Sequence, residues 1–246
     1  MKIIVRNIRF KPSFIIESLP EIIKYLPATL EIALISSIIG ILLGFIIAVI
    51  RIKKTPILNK LTILYVSFMR GTPLLVQLFL AYYGTPLVIE YINYKFGTKY
   101  NINDIPAMVF VFIAFSLNES AYTSETIRGA ILSVDKKEVE AGQSIGMTST
   151  TIMRRIILPQ ALVVAIPNLG NTLISLVKST SLAFTVSVMD VMGSAKVIAG
   201  RNMRFFEVYI SVAIIYWIIC LLIEIVIKKI EIKLNIQDRE VVDDRG

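Results

Sequence analysis

The sequence predicts an all-α membrane protein with five transmembrane helices. Apolar side chains make up 55% of the 246 residues and charged ones only 18%, whereas the apolar share of a soluble domain is about 45–50% even with glycine included. The apolar residues are concentrated in five runs, each near or above the roughly 20 residues that cross a bilayer core. These runs are 26–50, 57–83, 105–127, 156–177 and 205–227.

The composition also excludes several classes of protein. No Gly-Lys dipeptide occurs, so the sequence lacks a phosphate-cradling loop for ATP. Histidine is absent and Cys220 is the single cysteine, which removes disulfides within the chain, the usual metal clusters and imidazole chemistry. We therefore predict that the chain is not an enzyme and binds no metal or cofactor. The net charge of +8 is attributed to membrane topology rather than to nucleic-acid binding.

Three regions follow from this pattern. Residues 1–25 mix basic and apolar side chains without a run long enough to cross, and are predicted to form an N-terminal interfacial arm. Residues 26–230 form the transmembrane domain, with a polar loop at 135–155, and residues 231–246 form a tail. The distribution of lysine and arginine favours a cytoplasmic tail and an outer N-terminus by a small margin.

The first run carries small residues on one helix face. They recur every four residues, at Ser36, Gly40, Gly44 and Ala48, and such a stripe lets another helix approach closely. It predicts either packing within the chain or a seam between two chains.

The second run is interrupted near its middle by Arg70-Gly71-Thr72-Pro73. Pro73 removes a backbone donor and favours a kink. A guanidinium in hydrocarbon usually faces a cavity or a carboxylate. Arg70 is therefore predicted either to face a transport pathway or only to fix the packing of the helices.

The third run places Asn118 and Glu119 about 20 Å into a core of about 30 Å. A carboxylate at that depth should face a wet cavity or a cation. Glu119 is therefore predicted either to contact a transported cation or to pair internally with Lys178 or Arg70.

A polar segment at 135–155 separates the third and fourth runs. Charged residues follow Asp135, Gly146 can end the first helix, and Thr148 or Ser149 can cap a second one. A pair of short helices is predicted here.

The fourth run is broken by prolines and polar residues, and broken membrane helices usually face protein or a water-filled path. We expect this run to line a pathway. The segment 185–204 is too polar to cross and predicts a short helix or re-entrant turn near the outer face. The interrupting residues are Pro159, Pro167, Asn168, Gly170 and Asn171, followed by Lys178, Ser179, Thr180 and Ser181.

Two sets of residues resemble known transport proteins. Glu140-Ala141-Gly142, then Gly146 after three residues and 156–159 after nine, resembles the EAA loop in the membrane subunits of binding-protein-dependent ABC importers. Segments across the rest of the chain resemble the polar amino acid permeases, the histidine/glutamine permease subfamily. Those segments are 70–77, 121–122 with Glu125 and 128–129, and 176–182. The sequence departs from the family at Gly142, where alanine is usual, and at Glu119, where a small neutral residue is common.

The resemblance implies a MetI-like type I importer fold, with a cytoplasmic coupling helix between the third and fourth spans. It also implies a bacterial inner membrane location and four kinds of partner. These are an ATPase dimer, a second permease subunit that is a copy or a paralogue, an extracytoplasmic substrate-binding protein, and an amino acid. A loop that docks on an ATPase must face the cytoplasm, which places the C-terminus inside and the N-terminus outside.

The resemblance further implies that the ATPase contacts Glu140, Ala141, Gly142, Gly146 and Met147. Substrate-binding residues are expected at Arg70, Thr72, Ser116, Asn118, Glu119, Tyr122, Lys178, Ser179 and Thr180.

The carboxylate of Glu119 favours a basic amino acid, because it can bind a guanidinium or an ammonium group. The alternative is a permease for neutral or acidic amino acids such as glutamine or glutamate, with Glu119 purely structural. A rival from another class is an ion-coupled transporter with a relay through Glu119 and Arg70. The docking motif argues against that rival.

Overall fold

The computed structural model describes residues 10–101 and 104–234, which are helical with short connections and contain no strand. The all-α prediction is confirmed. Residues 1–9 of the predicted arm and 235–246 of the predicted tail lie outside the described residues. The helices are α1 Pro12–Ile23, α2 Leu26–Lys53, α3 Pro56–Gly71, α4 Leu74–Phe96, α5 Ala107–Leu132, α6 Lys136–Ser144, α7 Ser149–Ile152, α8 Leu158–Ser179, α9 Val191–Asn202 and α10 Phe205–Lys233.

Four stretches of the described residues are long and apolar enough to cross a membrane. They are Leu26–Lys53, Leu74–Phe96, Ser149–Val186 and Phe205–Lys233. Helix α5 has 26 residues, a sufficient length at 1.5 Å per residue, but its charged side chains make it less apolar. The count of five spans therefore stays a prediction.

The second predicted span is not one helix. Helix α3 ends at Gly71 and α4 begins at Leu74, because Thr72 is extended, with ψ 147°, and Pro73 has no N–H with which to continue the helix. Helix α4 then runs to Phe96, so most of the segment between the second and third predicted spans, 84–104, is helical. The break puts a turn of irregular backbone against the middle of α5.

The small-residue stripe of α2 packs against α5 inside the chain, which decides between the two predicted roles of the stripe. A Cβ at Gly40 would lie 2.6 Å from Glu119 Cγ, and a Cβ at Gly44 would lie 3.0 Å from the carbonyl oxygen of Ser120. Thr123 Oγ1 donates to the carbonyl oxygen of Gly40 at 3.0 Å. Only glycine permits this approach, which holds Glu119 against α2.

The end of α8 tightens into a 3-10 helix, Thr180–Val186, and the chain turns at Ser187 with φ 65°. Asp190 then caps α9, its Oδ1 accepting from the backbone N–H of Gly193 at 2.8 Å. The short helix predicted within 185–204 is confirmed as α9.

Helix α1 packs on α9 and on the start of α10. The hydroxyls of Ser18 and Ser211 are hydrogen bonded at 2.9 Å, and Ile22 is buried in a core shared with α9 and α10. Helices α1 and α9 and the start of α10 therefore form one packed group beyond the 3-10 end of α8.

The loop between α5 and α8 forms the predicted pair of short helices. Asp135 caps α6, and Gly146, with φ 82°, ends it. Thr148 caps α7, which passes through a π-helical turn, Met153–Ile157, into α8. Pro159 lacks a backbone donor, and a widened turn is one way for a helix to accommodate that loss.

Candidate functional site

A polar cavity of about 550 Å³ lies between α5, α8 and the break that follows α3. The break contributes backbone and a hydroxyl, α5 contributes the charged group, and α8 contributes amides and hydroxyls. The lining residues are Thr72, Pro73, Leu74, Asn118, Glu119, Tyr122, Thr126, Asn168, Asn171, Thr172, Ser175, Leu176 and Ser179.

One face of α8 forms the longest polar wall of the cavity. Its polar residues stand three or four positions apart, which places them on one side of a helix. Ser179 is a predicted site residue, Asn168 and Asn171 are predicted only as interruptions of the helix, and Thr172 and Ser175 are not predicted from the sequence. Their helical spacing is the signal that identifies the whole face. Thr126, one turn beyond Tyr122 on α5, was missed as well.

Glu119 is 4% exposed and lines the cavity. Within the described part of the chain its carboxyl group makes no hydrogen bond or ion pair, so the predicted internal pair with Lys178 or Arg70 is wrong. Arg70 instead lies over the ring of Tyr122, with 5.5 Å between the guanidinium carbon and the ring centroid. Lys178 is exposed and lies on the side of α8 that approaches Cys220.

Four of the expected substrate residues do not line the cavity. Ser116 lies in an apolar groove between α2 and α5, and its hydroxyl has no hydrogen-bond partner among the described residues. Thr180 is buried and donates to the carbonyl oxygen of Val177 at 2.7 Å. Arg70 and Lys178 also lie outside the lining of the cavity. The predicted residues that do line it are Thr72, Asn118, Glu119, Tyr122 and Ser179. The rotation of each helix decides these placements.

Gln77 is not among the predicted site residues. It is the last residue of the segment 70–77, which resembles the polar amino acid permeases. Its side chain is 5% exposed and accepts a hydrogen bond from Asn118 Nδ2 at 2.9 Å. Its Nε2 donates to the carbonyl oxygen of Met69 at 2.9 Å. The signal in the sequence is Pro73, four residues after Met69. Because proline has no backbone N–H, the carbonyl oxygen of Met69 lacks its helical donor and needs another one.

The five residues expected to contact an ATPase do not share one surface. Glu140, Ala141 and Gly146 are exposed, and Met147 is half-buried. Gly142 is buried, and a Cβ there would lie 3.0 Å from Ile156 Cδ1. The expectation that Gly142 admits an ATPase surface is therefore corrected: it lets the two short helices of the loop pack closely.

The exposed tip of the loop also carries an apolar side chain. Ile145 is 79% exposed, which is a large exposure for isoleucine outside a membrane-spanning segment. The sequence analysis did not select it. Its position between the exposed Glu140-Ala141 turn and Gly146 makes it part of the same surface.

A charged cluster joins α2 to the end of α5, and a separate hydrogen bond joins the loop to α8. Glu125, near the end of α5, accepts from Arg128 Nη2 at 2.8 Å and from Arg51 at the end of α2. The side chain of Gln160, in the first turn of α8, donates to Glu138 of α6. The loop is therefore joined to α5 through the chain and to α8 through Gln160, while the cluster holds α2 against the end of α5.

Membrane helices around a polar cavity, with a short helix pair projecting from them, are the architecture of a transport subunit driven by another protein. The chain belongs to the family described as binding-protein-dependent transport system inner membrane component, whose model matches residues 40–235.

Known relatives extend this finding over most of the chain. The probable amino-acid ABC transporter permease protein PatM of Vibrio harveyi is 43% identical over 226 residues, 92% of this chain and 97% of the relative. The L-cystine transport system permease protein TcyL of Bacillus subtilis is 39% identical over 215 residues, 87% of each chain. The resemblance to amino acid permeases is confirmed.

Solved structures confirm the fold. A crystal structure of an amino acid ABC transporter with histidines has a TM-score of 0.78 at 31% identity, covering 92% of this chain and 100% of that one. An inward-facing methionine ABC transporter, MetNI, has a TM-score of 0.67 at 18% identity, covering 89% and 98%, and this shows likeness of fold alone. The MetI-like importer fold is therefore confirmed.

Membership of the family settles the general role. The chain is a transport subunit of the inner membrane rather than an enzyme, as predicted, and it works with a substrate-binding protein and an ATPase.

Proposed function

We propose that this chain is the permease subunit of an ABC importer for amino acids, and that its substrates are the basic ones, arginine, lysine or histidine. The observation that carries the proposal is the carboxyl group of Glu119, which has no hydrogen-bond or ion-pair partner among the described residues and lines a polar cavity whose other described lining residues are uncharged. Transport proceeds by alternating access, in which the cavity holds the substrate well in one state and poorly in the other.

The lining of the cavity supports a cationic substrate. Glu119 is the one residue with a formal charge among the lining residues. A buried charge without a partner is costly, and a guanidinium or ammonium group offsets that cost through charge-assisted hydrogen bonds. A volume of about 550 Å³ is within the usual range of small-molecule sites.

Arg70 is placed to bind the other end of an amino acid. Its guanidinium stacks on Tyr122, whose ring lines the cavity, and the described residues give it no carboxylate partner. A guanidinium in this position can donate two hydrogen bonds to an α-carboxylate. Substrate binding is thus assigned to Thr72, Asn118, Glu119, Tyr122 and Ser179, with Arg70 at the edge.

The loop at 135–155 is proposed to dock on the ATPase. Its exposed surface includes Glu140, Ala141, Ile145 and Gly146, while Gly142 and Met147 support that surface from within. Docking places the loop and the C-terminus in the cytoplasm and the N-terminus outside. A second permease subunit, a copy or a paralogue, completes the translocation unit.

The alternative function is transport of neutral or acidic amino acids, with Glu119 serving structure. The relative TcyL favours this alternative, because it is named as a permease for L-cystine, which is not a basic amino acid. In that case Glu119 would be needed for assembly, and its charge would not decide which amino acid is transported.

Substrate-stimulated ATP hydrolysis separates the two functions. The permease is reconstituted in proteoliposomes with its ATPase and binding protein, and arginine, lysine, histidine, glutamine and glutamate are compared. Cationic amino acids should stimulate the wild type most, and Glu119→Gln should lose that preference because it loses the charge.

Glu90→Gln is the matched control, since it removes an exposed carboxylate of α4 outside the cavity, and it should keep the wild-type preference. Stimulation chiefly by glutamine or glutamate, or an unchanged preference in Glu119→Gln, would establish the alternative.

A further inference from the structure

The break between α3 and α4 leaves a backbone carbonyl that two side chains satisfy. In a continuous helix the carbonyl oxygen of Met69 would accept from the N–H of residue 73, but Pro73 has none. That oxygen instead accepts from Gln77 Nε2 at 2.9 Å and from Asn118 Nδ2 at 3.3 Å. The break is therefore bonded both to α4 and to α5.

The surroundings of Gln77 fix which way its amide points. Its Nε2 also lies 3.1 Å from the carbonyl oxygen of Thr72 and 2.8 Å from Thr72 Oγ1. The Thr72 hydroxyl donates its own hydrogen to the carbonyl oxygen of Phe68 at 2.8 Å, so it too is an acceptor towards Gln77. Carbonyl oxygens can only accept. The amide nitrogen of Gln77 must face the break, and its Oε1 must face α5.

The orientation of Asn118 follows from that of Gln77. Gln77 Oε1 requires a donor and receives it from Asn118 Nδ2 at 2.9 Å. The two hydrogens of that nitrogen are then directed to Gln77 Oε1 and to the carbonyl oxygen of Met69. Both side chains are buried, so water does not replace these bonds. Asn118 Oδ1 is left as the polar atom available to the cavity that Asn118 lines.

We propose that Gln77 is a positioning residue that sets substrate preference through Asn118. It holds Oδ1 of Asn118 as an acceptor in the cavity that Glu119 also lines. Two acceptors that approach one cavity from different directions favour a group with donors in several directions, and a planar guanidinium has five N–H donors where an ammonium has three. The permease therefore prefers arginine to lysine. This inference rests on the proposed transport of basic amino acids.

The test is equilibrium binding of radiolabelled arginine to the permease–ATPase complex in lipid nanodiscs, without the binding protein, with lysine and glutamine as competitors. Gln77→Met keeps the volume of the side chain and removes its hydrogen bonds, so Asn118 is free to turn. Gln77→Met and Asn118→Ala should each weaken arginine binding about tenfold, the loss of one hydrogen bond to a charged group. The preference for arginine over lysine should fall.

A double-mutant cycle distinguishes positioning from general damage. If Gln77 acts through Asn118, the Gln77→Met/Asn118→Ala protein should bind arginine no more weakly than Asn118→Ala alone. Thr85→Val, which removes a local hydrogen bond in the same helix α4, should leave arginine binding and the preference unchanged.

A second variant covers the case in which Gln77→Met does not assemble. Gln77→Glu, protonated when buried, donates its O–H to a carbonyl of the break and accepts from Asn118, so it should keep the wild-type preference while Asn118→Ala loses it. Additive effects in the cycle, equal weakening of arginine and lysine, or an unchanged preference in Asn118→Ala would overturn the proposal.

Failure of the underlying function has a separate signature. A wild-type complex that binds glutamine as tightly as arginine and lysine contradicts transport of basic amino acids, whatever the Gln77 variants do. A wild type that prefers both cations to glutamine but does not distinguish arginine from lysine contradicts the role of Gln77 alone.

Discussion

Two buried carboxyl groups of this protein differ in what surrounds them. Asp190 accepts from the backbone N–H of Gly193 at 2.8 Å and from the Tyr216 hydroxyl at 3.3 Å, so its oxygens are used within the fold. Glu119 has no such partner among the described residues and opens on the cavity. Of these two carboxyl groups, the bonded one of Asp190 belongs to the scaffold, whereas the unpartnered one of Glu119 faces the candidate site.

Burial raises the pKa of the Asp190 carboxyl, and the hydrogen bond from Gly193 offsets only part of that rise. With a folded pKa above the unfolded one, the contribution of this group to stability is complete below the unfolded pKa and is lost as the pH rises through the folded pKa. Asp190→Asn keeps a good N-cap and cannot ionise. The stability of the wild type relative to Asp190→Asn should therefore fall from acid towards neutral pH.

Thermal unfolding of the detergent-solubilised protein over a series of pH values measures this difference. Asp135→Asn is the matched control, because it makes the same change at the exposed cap of α6 and should not show that fall. A constant loss of stability in Asp190→Asn at every pH would mean that the bond to Tyr216 outweighs the cost of burial.

At the scale of elements, the pairing of α2 with α5 positions the site. Glycines at positions 40 and 44 bring the two helices into contact, and Glu119 lies in that contact on α5. The break after α3 then places Thr72 and Pro73 opposite Asn118 and Glu119, with α8 closing the cavity. A change in the distance between α2 and α5 therefore alters the cavity directly.

Gly44→Ala should force α2 and α5 apart. The new Cβ would lie 3.0 Å from two backbone atoms, the carbonyl oxygen of Ser120 and the amide nitrogen of Ser124, which cannot rotate away. Overpacking of this kind costs about 1–3 kcal/mol, so we expect a lower midpoint of thermal unfolding.

Gly84→Ala is the comparison for this variant, because nothing lies within 4 Å of a Cβ at that position of α4. Replacing an unobstructed helical glycine gains up to about 1 kcal/mol. Equal midpoints for the two variants would show that the two helices are not held by close contact at Gly44.

At the scale of the whole molecule, the loop at 135–155 precedes α8, whereas α9, with α1 packed on it, follows the other end of α8. The loop at 135–155 follows α5 directly in the chain and is hydrogen bonded to α8 through Glu138 and Gln160, so its movement is transmitted to two helices that line the cavity. Ile145 at the loop and Met203 after α9 are 79% and 75% exposed. They are a matched pair of exposed apolar residues for locating the two ends.

Cysteine labelling tests this arrangement, since Cys220 is the single native cysteine and Cys220→Ser gives a background without one. A membrane-impermeant maleimide should label Ile145→Cys only from the cytoplasmic side and Met203→Cys only from the outside. Binding of the ATPase should protect Ile145→Cys and leave Met203→Cys accessible. Labelling of Ile145→Cys from the outside, or unchanged labelling when the ATPase is bound, would contradict the proposed docking and orientation.

The sequence by itself determined the class of the protein and its local structure. Apolar runs predicted the membrane helices, Pro73 predicted the interruption after α3, and Asp135, Gly146 and Thr148 predicted the helix pair of the loop. These features depend on neighbours within a few residues, through a missing donor, a cap or a left-handed turn. The spacing around Glu140 carried the family resemblance for the same reason.

Only the tertiary structure decided which side chains meet. It separated Glu119 from Lys178 and Arg70, turned Gly142 inward, and joined Gln77 to Asn118 across two helices. Successive residues of a helix point about 100° apart because a turn has 3.6 residues, so a small rotation of α5 or α8 changes which residues face the cavity. That rotation is set by the close packing of α2 on α5 and by the break at Pro73, which are long-range contacts that local sequence patterns do not specify.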